Sequence, residues 1–89
     1  MIRSNIKISN KLGLHARASA KLTKLAGSFR SEVFMSRNGR RVNAKSIMGV
    51  MMLAAGAGSE VEIEIEGEDE QAAMQAITRL IDDKFGEGQ

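Results

Sequence analysis

The chain has 89 residues, a length at which a protein buries about 60% of the surface that its unfolded form exposes, so we expect one domain over residues 1–89. It has no cysteine and one histidine, which excludes a disulfide framework, a thiolate metal cluster and an imidazole-rich metal site. The net charge of +2 hides an asymmetry: residues 1–45 hold eleven Lys or Arg against one acid, and residues 46–89 hold two against ten. Such a division indicates either a basic face for an acidic partner or opposite charges paired across one sheet.

Residues 2–27 predict a strand followed by a helix. In residues 2–8 (IRSNIKI) the isoleucines share one face, which is the period of a strand with one buried side. From residue 16 to residue 26 the apolar positions follow helical spacing, and His15 lies at the N-terminal edge of this helix. Glycine is the residue type best suited to a left-handed helix end, so we expect the helix to end at Gly27.

Residues 29–53 predict a hairpin and a short helix. Asn38-Gly39 is the dipeptide that most readily adopts a type I′ turn, so strands two and three flank it. By alternation, Phe34 falls on the water-facing side of strand two. Ser46 precedes the segment IMGVMML, and its hydroxyl can accept a hydrogen bond from a free backbone N–H, so the second helix begins there.

The C-terminal part predicts a fourth strand and a third helix. Residues 60–67 (EVEIEIEG) alternate strictly, with valine and isoleucine inside and four glutamates, including Glu64, facing water. Residues 68–85 begin with acids that suit the positive end of a helix, and an apolar stripe then runs from Ala73 to Phe85.

The order β-α-β-β-α-β-α indicates an α+β fold. Strands with one apolar face need helices on that face only, which gives a two-layer, open-faced β-sandwich: a four-stranded antiparallel sheet covered on one face by three helices. The wet face would hold Arg3 and Lys7 with the glutamates of strand four. If strands one and four are neighbours, each such pair contributes roughly 0.2–1 kcal/mol, and part of the charge asymmetry needs no partner.

Neither the apolar content nor the N-terminal residues indicate a membrane protein. The longest apolar run, residues 47–58, has 12 residues and three glycines, so it is too short for a membrane span. Residues 1–10 lack the apolar core of a signal peptide. We therefore expect a cytoplasmic protein without a membrane partner.

His15 has two interpretations, as a surface or capping residue or as a nucleophile beside an anion site. Unpaired N–H groups at a helix N-terminus stabilise an anion, and Arg17 adds a planar cation suited to phosphate oxygens. These neighbours favour a neutral imidazole, which could attack phosphorus and form a phosphoimidazole held by the same N–H donors. The chain lacks Ser/Asp partners, a glycine-rich phosphate loop and a metal site, so we expect a carrier without a cofactor and not an enzyme.

Three motifs carry a resemblance to a known family: GLHARAS at 13–19, RNGRRVNAKSIMGVMML at 37–53 and EGEDEQ at 66–71. Together they resemble the HPr family, the histidine-containing phosphocarriers of the phosphoenolpyruvate-dependent sugar phosphotransferase system, over nearly the whole chain. The resemblance implies sheet order 1-4-2-3. It also implies that enzyme I phosphorylates His15 on Nδ1, with Arg17 beside the phosphoryl group and Ala16 as a backbone donor, and that enzyme IIA receives the group.

The resemblance also assigns roles to the second helix. Ser46 matches the regulatory phosphorylation site of HPr kinase/phosphorylase, a role compatible with a helix cap. Ile47, Met48 and Met51 match the patch that docks on enzyme I and enzyme IIA, although a methionine stripe is more often part of a core. The chain departs from the family at Ala18, where many members have proline.

Two other functions remain open. The nitrogen-related paralogue, or a carrier that serves regulation only, shares the histidine chemistry, and sequence logic hardly separates it from the sugar branch. A small basic nucleic-acid-binding domain is suggested by Arg37, Arg40 and Arg41 at the hairpin. It is disfavoured because three phenylalanines and no Tyr or Trp leave few rings on which bases can stack. We expect a monomer that binds no nucleic acid.

Overall fold

The computed structural model of the chain describes residues 1–87. It contains one antiparallel sheet with the strand order β1-β4-β2-β3. The strands are β1 (Ile2–Lys7), β2 (Glu32–Arg37), β3 (Arg40–Asn43) and β4 (Glu60–Glu66). The helices are α1 (Ala16–Gly27), α2 (Ile47–Met52) and α3 (Glu70–Asp82), followed by a 3-10 turn at Lys84–Gly86. The predicted α+β fold, its element order and its sheet order are confirmed.

The core lies between the sheet and the helices. The predicted apolar faces of the strands and helices are buried there, and full burial of one aliphatic side chain is worth about 1.5–3 kcal/mol. The sheet contributes Ile6, Val33, Met35, Val61, Ile63 and Ile65, and the helices contribute Leu22, Ala26, Val50, Ala73, Ile77 and Ile81. Within residues 1–87, no helix has the length and apolar character needed to cross a membrane.

Glu64 is buried, contrary to the prediction that all four glutamates of strand four face water. Its Oε2 lies 3.4 Å from Arg3 Nε, and its Oε1 lies 3.3 Å from Arg41 Nε. The Arg41 guanidinium also stacks on the Phe34 ring, 3.8 Å from the ring centroid. Long side chains on β1 and β3 therefore cover Glu64, and opposite charges of the two halves of the chain are paired across the sheet.

The hairpin arginines also bond within the protein. Arg37 Nη1 donates to the carbonyl oxygen of Leu53 at 3.1 Å, and Arg40 Nη1 donates to that of Met52 at 3.3 Å. These bonds satisfy carbonyl groups at the C-terminal end of α2, where cations are favourable. The basic cluster on which the nucleic-acid interpretation depends is therefore used to attach α2 to the hairpin.

The prediction of a type I′ turn in the hairpin is confirmed, whereas the prediction of a left-handed glycine at the end of α1 is wrong. Asn38 and Gly39 have φ values of 51° and 81°, as a type I′ turn requires. Gly27 is instead the last residue of α1, and the following Ser28 is right-handed with φ −79°. The Ser28 hydroxyl donates to the carbonyl oxygen of Leu25 at 2.6 Å, so a side chain satisfies this helix end without a left-handed glycine.

The third helix is shorter than predicted. It ends at Asp82, and Phe85 has a positive φ of 56° in the turn that follows. Phe85 is nevertheless buried, because the change of chain direction brings its ring back onto the core. The apolar stripe of α3 therefore stops before Phe85, which belongs to the C-terminal turn.

Candidate functional site

The loop before α1 is fixed by contacts that only glycine permits. Gly13 has φ +67°, and a Cβ atom there would lie 2.4 Å from the carbonyl oxygen of Ala55. The backbone N–H of the next residue, Leu14, donates to the same oxygen at 2.9 Å, and the Leu14 side chain is buried. The loop is thereby held against the segment before β4, and His15 follows directly at the start of α1.

His15 is the N-cap residue of α1, but its side chain does not cap the helix. Its carbonyl oxygen accepts the first helical hydrogen bond, from the N–H of Ser19 at 2.8 Å. In the described structure no hydrogen bond is formed by the N–H groups of Ala16 and Arg17, which precede that bond and are available to an anion. The capping interpretation of the imidazole is therefore wrong, and its side chain is 27% exposed.

A cleft of about 530 Å³ opens beside the imidazole. Two cationic side chains, a half-buried ring and a helix N-terminus surround it, which is an environment suited to a small anion. Its lining residues are Lys11, Leu12, His15, Ala16, Arg17 and Glu87. The structure thus brings together the three residues predicted for phosphoryl chemistry and adds a lysine, an exposed leucine and a glutamate to them.

Glu87 is a site residue to which nothing in the sequence pattern points. Its Oε2 lies 2.5 Å from His15 Nε2, and its Oε1 accepts a hydrogen bond from Asn10 Nδ2 at 3.0 Å. The bond from Asn10 holds the pKa of Glu87 below its ordinary value, and the contact with His15 acts in the same direction. Asn10 and His15, which bond to the Glu87 carboxylate, both lie more than seventy residues away in sequence, so no local spacing could have revealed these contacts.

Ser46 begins α2, as predicted. Its side chain accepts a hydrogen bond from the backbone N–H of Gly49 at 3.1 Å, the geometry of a helix N-cap. The residue is exposed, so its hydroxyl can be reached from solvent. Ser46 is therefore both a capping residue and an accessible one.

The side chains of α2 that the sequence left undecided between core and surface lie on the surface. Val50 is buried, whereas four large apolar side chains, which we call the α2 surface, are exposed. Their exposed fractions are 43% for Ile47, 69% for Met48, 38% for Met51 and 57% for Met52. Because α2 packs against α1, this apolar surface lies on the helix that neighbours the one bearing His15. Leu12, 67% exposed, adds an apolar side chain at the cleft itself.

The family model described as the PTS HPr component phosphorylation site matches residues 2–83. The chain belongs to the HPr family. The phosphocarrier protein HPr of Cupriavidus necator is 66% identical over 89 residues, and the match covers 100% of both chains. HPr of Neisseria meningitidis serogroup A is 56% identical with the same coverage. The crystal structure of HPr-C-His from Thermoanaerobacter tengcongensis has a TM-score of 0.94 and 44% identity, and the match covers 98% of each chain.

The likeness to HPr extends over sequence and structure together. Relatives with the same function in their names match the chain from end to end, and the solved HPr structure has the same backbone course. The chain is therefore a phosphocarrier of the HPr type in the phosphotransferase system. The resemblance that the three sequence motifs carry is confirmed.

Proposed function

We propose that this protein accepts a phosphoryl group on Nδ1 of His15 from enzyme I, charged by phosphoenolpyruvate, and passes it to enzyme IIA. The observation that carries the proposal is the position of the ring, beside a cleft lined by Ala16 and Arg17 at the N-terminus of α1. Nε2 is already bonded to Glu87, so Nδ1 is the nitrogen left for phosphorus. We propose further that residues 1–89 form one domain that acts as a single histidine phosphocarrier.

The chemistry follows from what lies around the ring. A phosphoryl group on Nδ1 adds two negative charges at the start of α1, where the N–H groups of Ala16 and Arg17 carry partial positive charge. The guanidinium of Arg17 can bind two phosphoryl oxygens at once. The same donors stabilise the charge that develops on the equatorial oxygens during in-line transfer.

The site supports a stoichiometric carrier and not a catalyst that turns over alone. The cleft holds the imidazole and anion-binding groups, and the carboxylate in its lining, Glu87, is already bonded to His15 and Asn10. The phosphorylated form would therefore persist until a second protein removes the group. The proposed carrier needs no metal or cofactor, because both transfers are substitutions at phosphorus without redox chemistry.

Part of the α2 surface and two cationic side chains at the cleft support docking on proteins. Three of its residues, Ile47, Met48 and Met51, lie on the helix beside α1, and methionine adapts to more than one partner surface. Lys11 and Arg17 at the cleft favour acidic partner surfaces. We propose that these three apolar residues and the two cations form the patch that binds enzyme I and enzyme IIA in turn. We also propose that the protein is a monomer in the cytoplasm and that nucleic acid and membranes are not its partners.

Ser46 is proposed as a regulatory phosphorylation site for HPr kinase/phosphorylase. A phosphate there would keep a favourable place at the start of α2 and would add about −1.5 to −2 charges next to the α2 surface. The added charge would weaken docking on an acidic partner without unfolding the protein.

The proposal is tested by incubating the protein with enzyme I and phosphoenolpyruvate. We expect an adduct that is labile in acid and stable in base, and that is absent from His15→Ala. The charged protein is then offered to purified enzyme IIA of the sugar type and of the nitrogen type. Transfer to the sugar-type protein supports the proposed branch, transfer to the nitrogen type alone assigns the paralogue, and an equal adduct on His15→Ala contradicts the assignment of the histidine.

A further inference from the structure

We propose that Glu87 is a positioning residue that holds the His15 imidazole with its proton on Nε2, so that Nδ1 always faces phosphorus as the unprotonated nitrogen. The inference deepens the proposed function and rests on it. It concerns a residue outside the segment that the family model matches, which ends at residue 83. It starts from the 2.5 Å contact between His15 Nε2 and Glu87 Oε2.

An ionised carboxylate can only accept hydrogen bonds, so the proton in this contact belongs to the imidazole. Asn10 Nδ2 donates to the other carboxylate oxygen and, at 2.8 Å, to the carbonyl oxygen of Gly13, and it thereby fixes the carboxylate relative to the loop that carries His15. Asn10 is fully buried, so this donor has a rigid position. The neutral ring is therefore held in the tautomer with Nε2 protonated and a lone pair on Nδ1.

The C-terminal turn is built to deliver this carboxylate. Phe85 is buried in the core, and Lys21 Nζ of α1 donates to its carbonyl oxygen at 2.6 Å. Gly86 follows with φ +75°, and the N–H of Glu87 donates to the carbonyl oxygen of Lys84 at 3.0 Å. A buried ring, an ion-dipole contact and a closed turn thus place Glu87 against a histidine at the other end of the chain.

The fixed proton means that neither transfer needs a proton to move at His15. In charging, the Nδ1 lone pair forms the N–P bond while the donor's bond to phosphorus breaks and its electron pair stays with the donor. The ring, still protonated on Nε2, then carries a positive charge next to the Glu87 carboxylate. In discharge, the acceptor nucleophile bonds to phosphorus, the N–P electron pair returns to Nδ1, and neutral imidazole leaves with its Nε2 proton in place.

The test compares Glu87→Gln and Glu87→Asp with Glu68→Gln, which removes the same charge from a side chain that is 80% exposed and paired with Arg30. Glutamine can accept from Nε2–H or donate to an unprotonated Nε2, so it no longer selects one tautomer. Two readouts are used: the imidazole tautomer, from long-range proton–nitrogen NMR of the free protein, and the rate of transfer from phosphorylated enzyme I at saturating protein.

We expect the neutral wild-type ring to show the Nε2–H form and Glu87→Gln to show a mixture that includes Nδ1–H. Transfer by Glu87→Gln should slow about tenfold, the factor at the low end for a lost hydrogen bond to a charged group. Glu87→Asp should keep the wild-type tautomer and recover most of the rate, and Glu68→Gln should change neither readout.

The inference would be overturned if Glu87→Gln kept both the wild-type tautomer and the wild-type transfer rate. A change of tautomer without a change of rate would also overturn it. Equal slowing of the Gln and Asp variants with the tautomer unchanged would also overturn it, since it would assign Glu87 a structural role. Failure of the wild-type protein to accept phosphoryl would contradict the proposed function instead, because the tautomer is measured without any partner.

Discussion

Ser31 and Asp69 are joined by two hydrogen bonds across thirty-eight residues of sequence. The Ser31 hydroxyl donates to Asp69 Oδ1 at 2.5 Å, and the Ser31 backbone N–H donates to the same oxygen at 3.1 Å. The N–H of Arg30 donates to Oδ2 at 3.0 Å. Asp69 therefore stabilises the chain before β2 and does not cap the N-terminus of α3, where its sequence position lies.

This contact predicts an acid-dependent loss of stability. The hydrogen bond from the Ser31 hydroxyl, aided by the backbone N–H of Arg30, holds the pKa of Asp69 below its ordinary value in the folded protein. A lowered pKa means that the carboxylate stabilises the fold above the unfolded-state pKa, and that this contribution is lost as the pH falls through the lower, folded-state pKa. Urea unfolding should therefore show that Asp69→Asn is less stable than wild type at about pH 7, with a gap that narrows below about pH 4.

The control for this prediction is Asp82→Asn, which removes an exposed carboxylate at the end of α3. Its unfolding free energy should differ little from that of wild type at either pH. A difference between wild type and Asp69→Asn that stays constant on acidification would show that the carboxylate charge is not what Ser31 stabilises.

Phe85 should be among the most costly side chains to truncate, although it lies beyond the last helix. It is 1% exposed, and truncation of a buried phenylalanine to alanine costs about 3–5 kcal/mol. Chemical denaturation monitored by circular dichroism measures the loss. Phe34→Ala is the matched control, because Phe34 is only half-buried and contacts Arg41 on the wet face. Equal losses in the two variants would mean that the C-terminal turn is not part of the core.

Arg17 should affect charging more than other cations of the same helix. If its guanidinium binds phosphoryl oxygens, Arg17→Gln should slow transfer from enzyme I about tenfold or more, the usual range for a hydrogen bond to a charged group. Arg17→Lys should restore part of the rate, since lysine supplies charge without the planar pair of donors. Lys24→Gln removes a cation in the last turn of α1 and should leave the rate near wild type. A similar loss in Lys24→Gln would assign the effect to overall charge.

Ser46 substitutions should separate capping from charge. Aspartate is a good N-cap, so Ser46→Asp should keep the thermal stability of wild type, whereas Ser46→Ala should lose about 0.5–2 kcal/mol with the bond to Gly49. In charging assays with enzyme I the ranking of the two variants should be the opposite of their ranking by stability: Ser46→Asp should accept phosphoryl slowly, and Ser46→Ala should do so at nearly the wild-type rate. Equal charging rates in both variants would count against a regulatory role.

The α2 surface offers two methionines on one short helix for a docking test. Met48→Gln should weaken binding to enzyme I about fivefold or more, the loss typical of an interface residue whose truncation costs over 1 kcal/mol. Met52→Gln is the control, because Met52 is 57% exposed but lies outside the proposed patch. Calorimetric titration measures both affinities. Identical losses would show that helix properties, and not the contact at Met48, determine the affinity.

Much of the fold could be predicted because each strand has one apolar face. Alternation in residues 2–8 and 60–67 defines two strands without reference to the rest of the chain, and Asn38-Gly39 defines the turn between two more. The error at Glu64 falls where a distant contact decides, whereas the error at the end of α1 depends on the local bond from Ser28 to Leu25. Glu64 follows the pattern of a water-facing residue and is buried because two arginines from other strands cover it.

The site, like the fold, could be predicted from the sequence only where a local pattern determines it. His15, Ala16 and Arg17 are adjacent in sequence, so their place at a helix N-terminus follows from local pattern. Glu87 lies behind a chain reversal at Phe85 whose positive φ no helical periodicity anticipates. Its contact with the imidazole depends on the packing of the C-terminal turn against α1, which only the assembled structure defines.

The central place of β4 constrains how the polypeptide matures during its synthesis. β1 and the β2–β3 hairpin share β4 as their common neighbour, and Ile2 pairs with Ile65 in the finished sheet. A ribosome-bound chain that stops short of residue 60 consequently exposes an unpaired N-terminal strand, and closing so long a loop is slow. Assembly of the full sheet must wait until the glutamate-rich strand β4 has emerged, which makes translation past residue 66 a condition of folding.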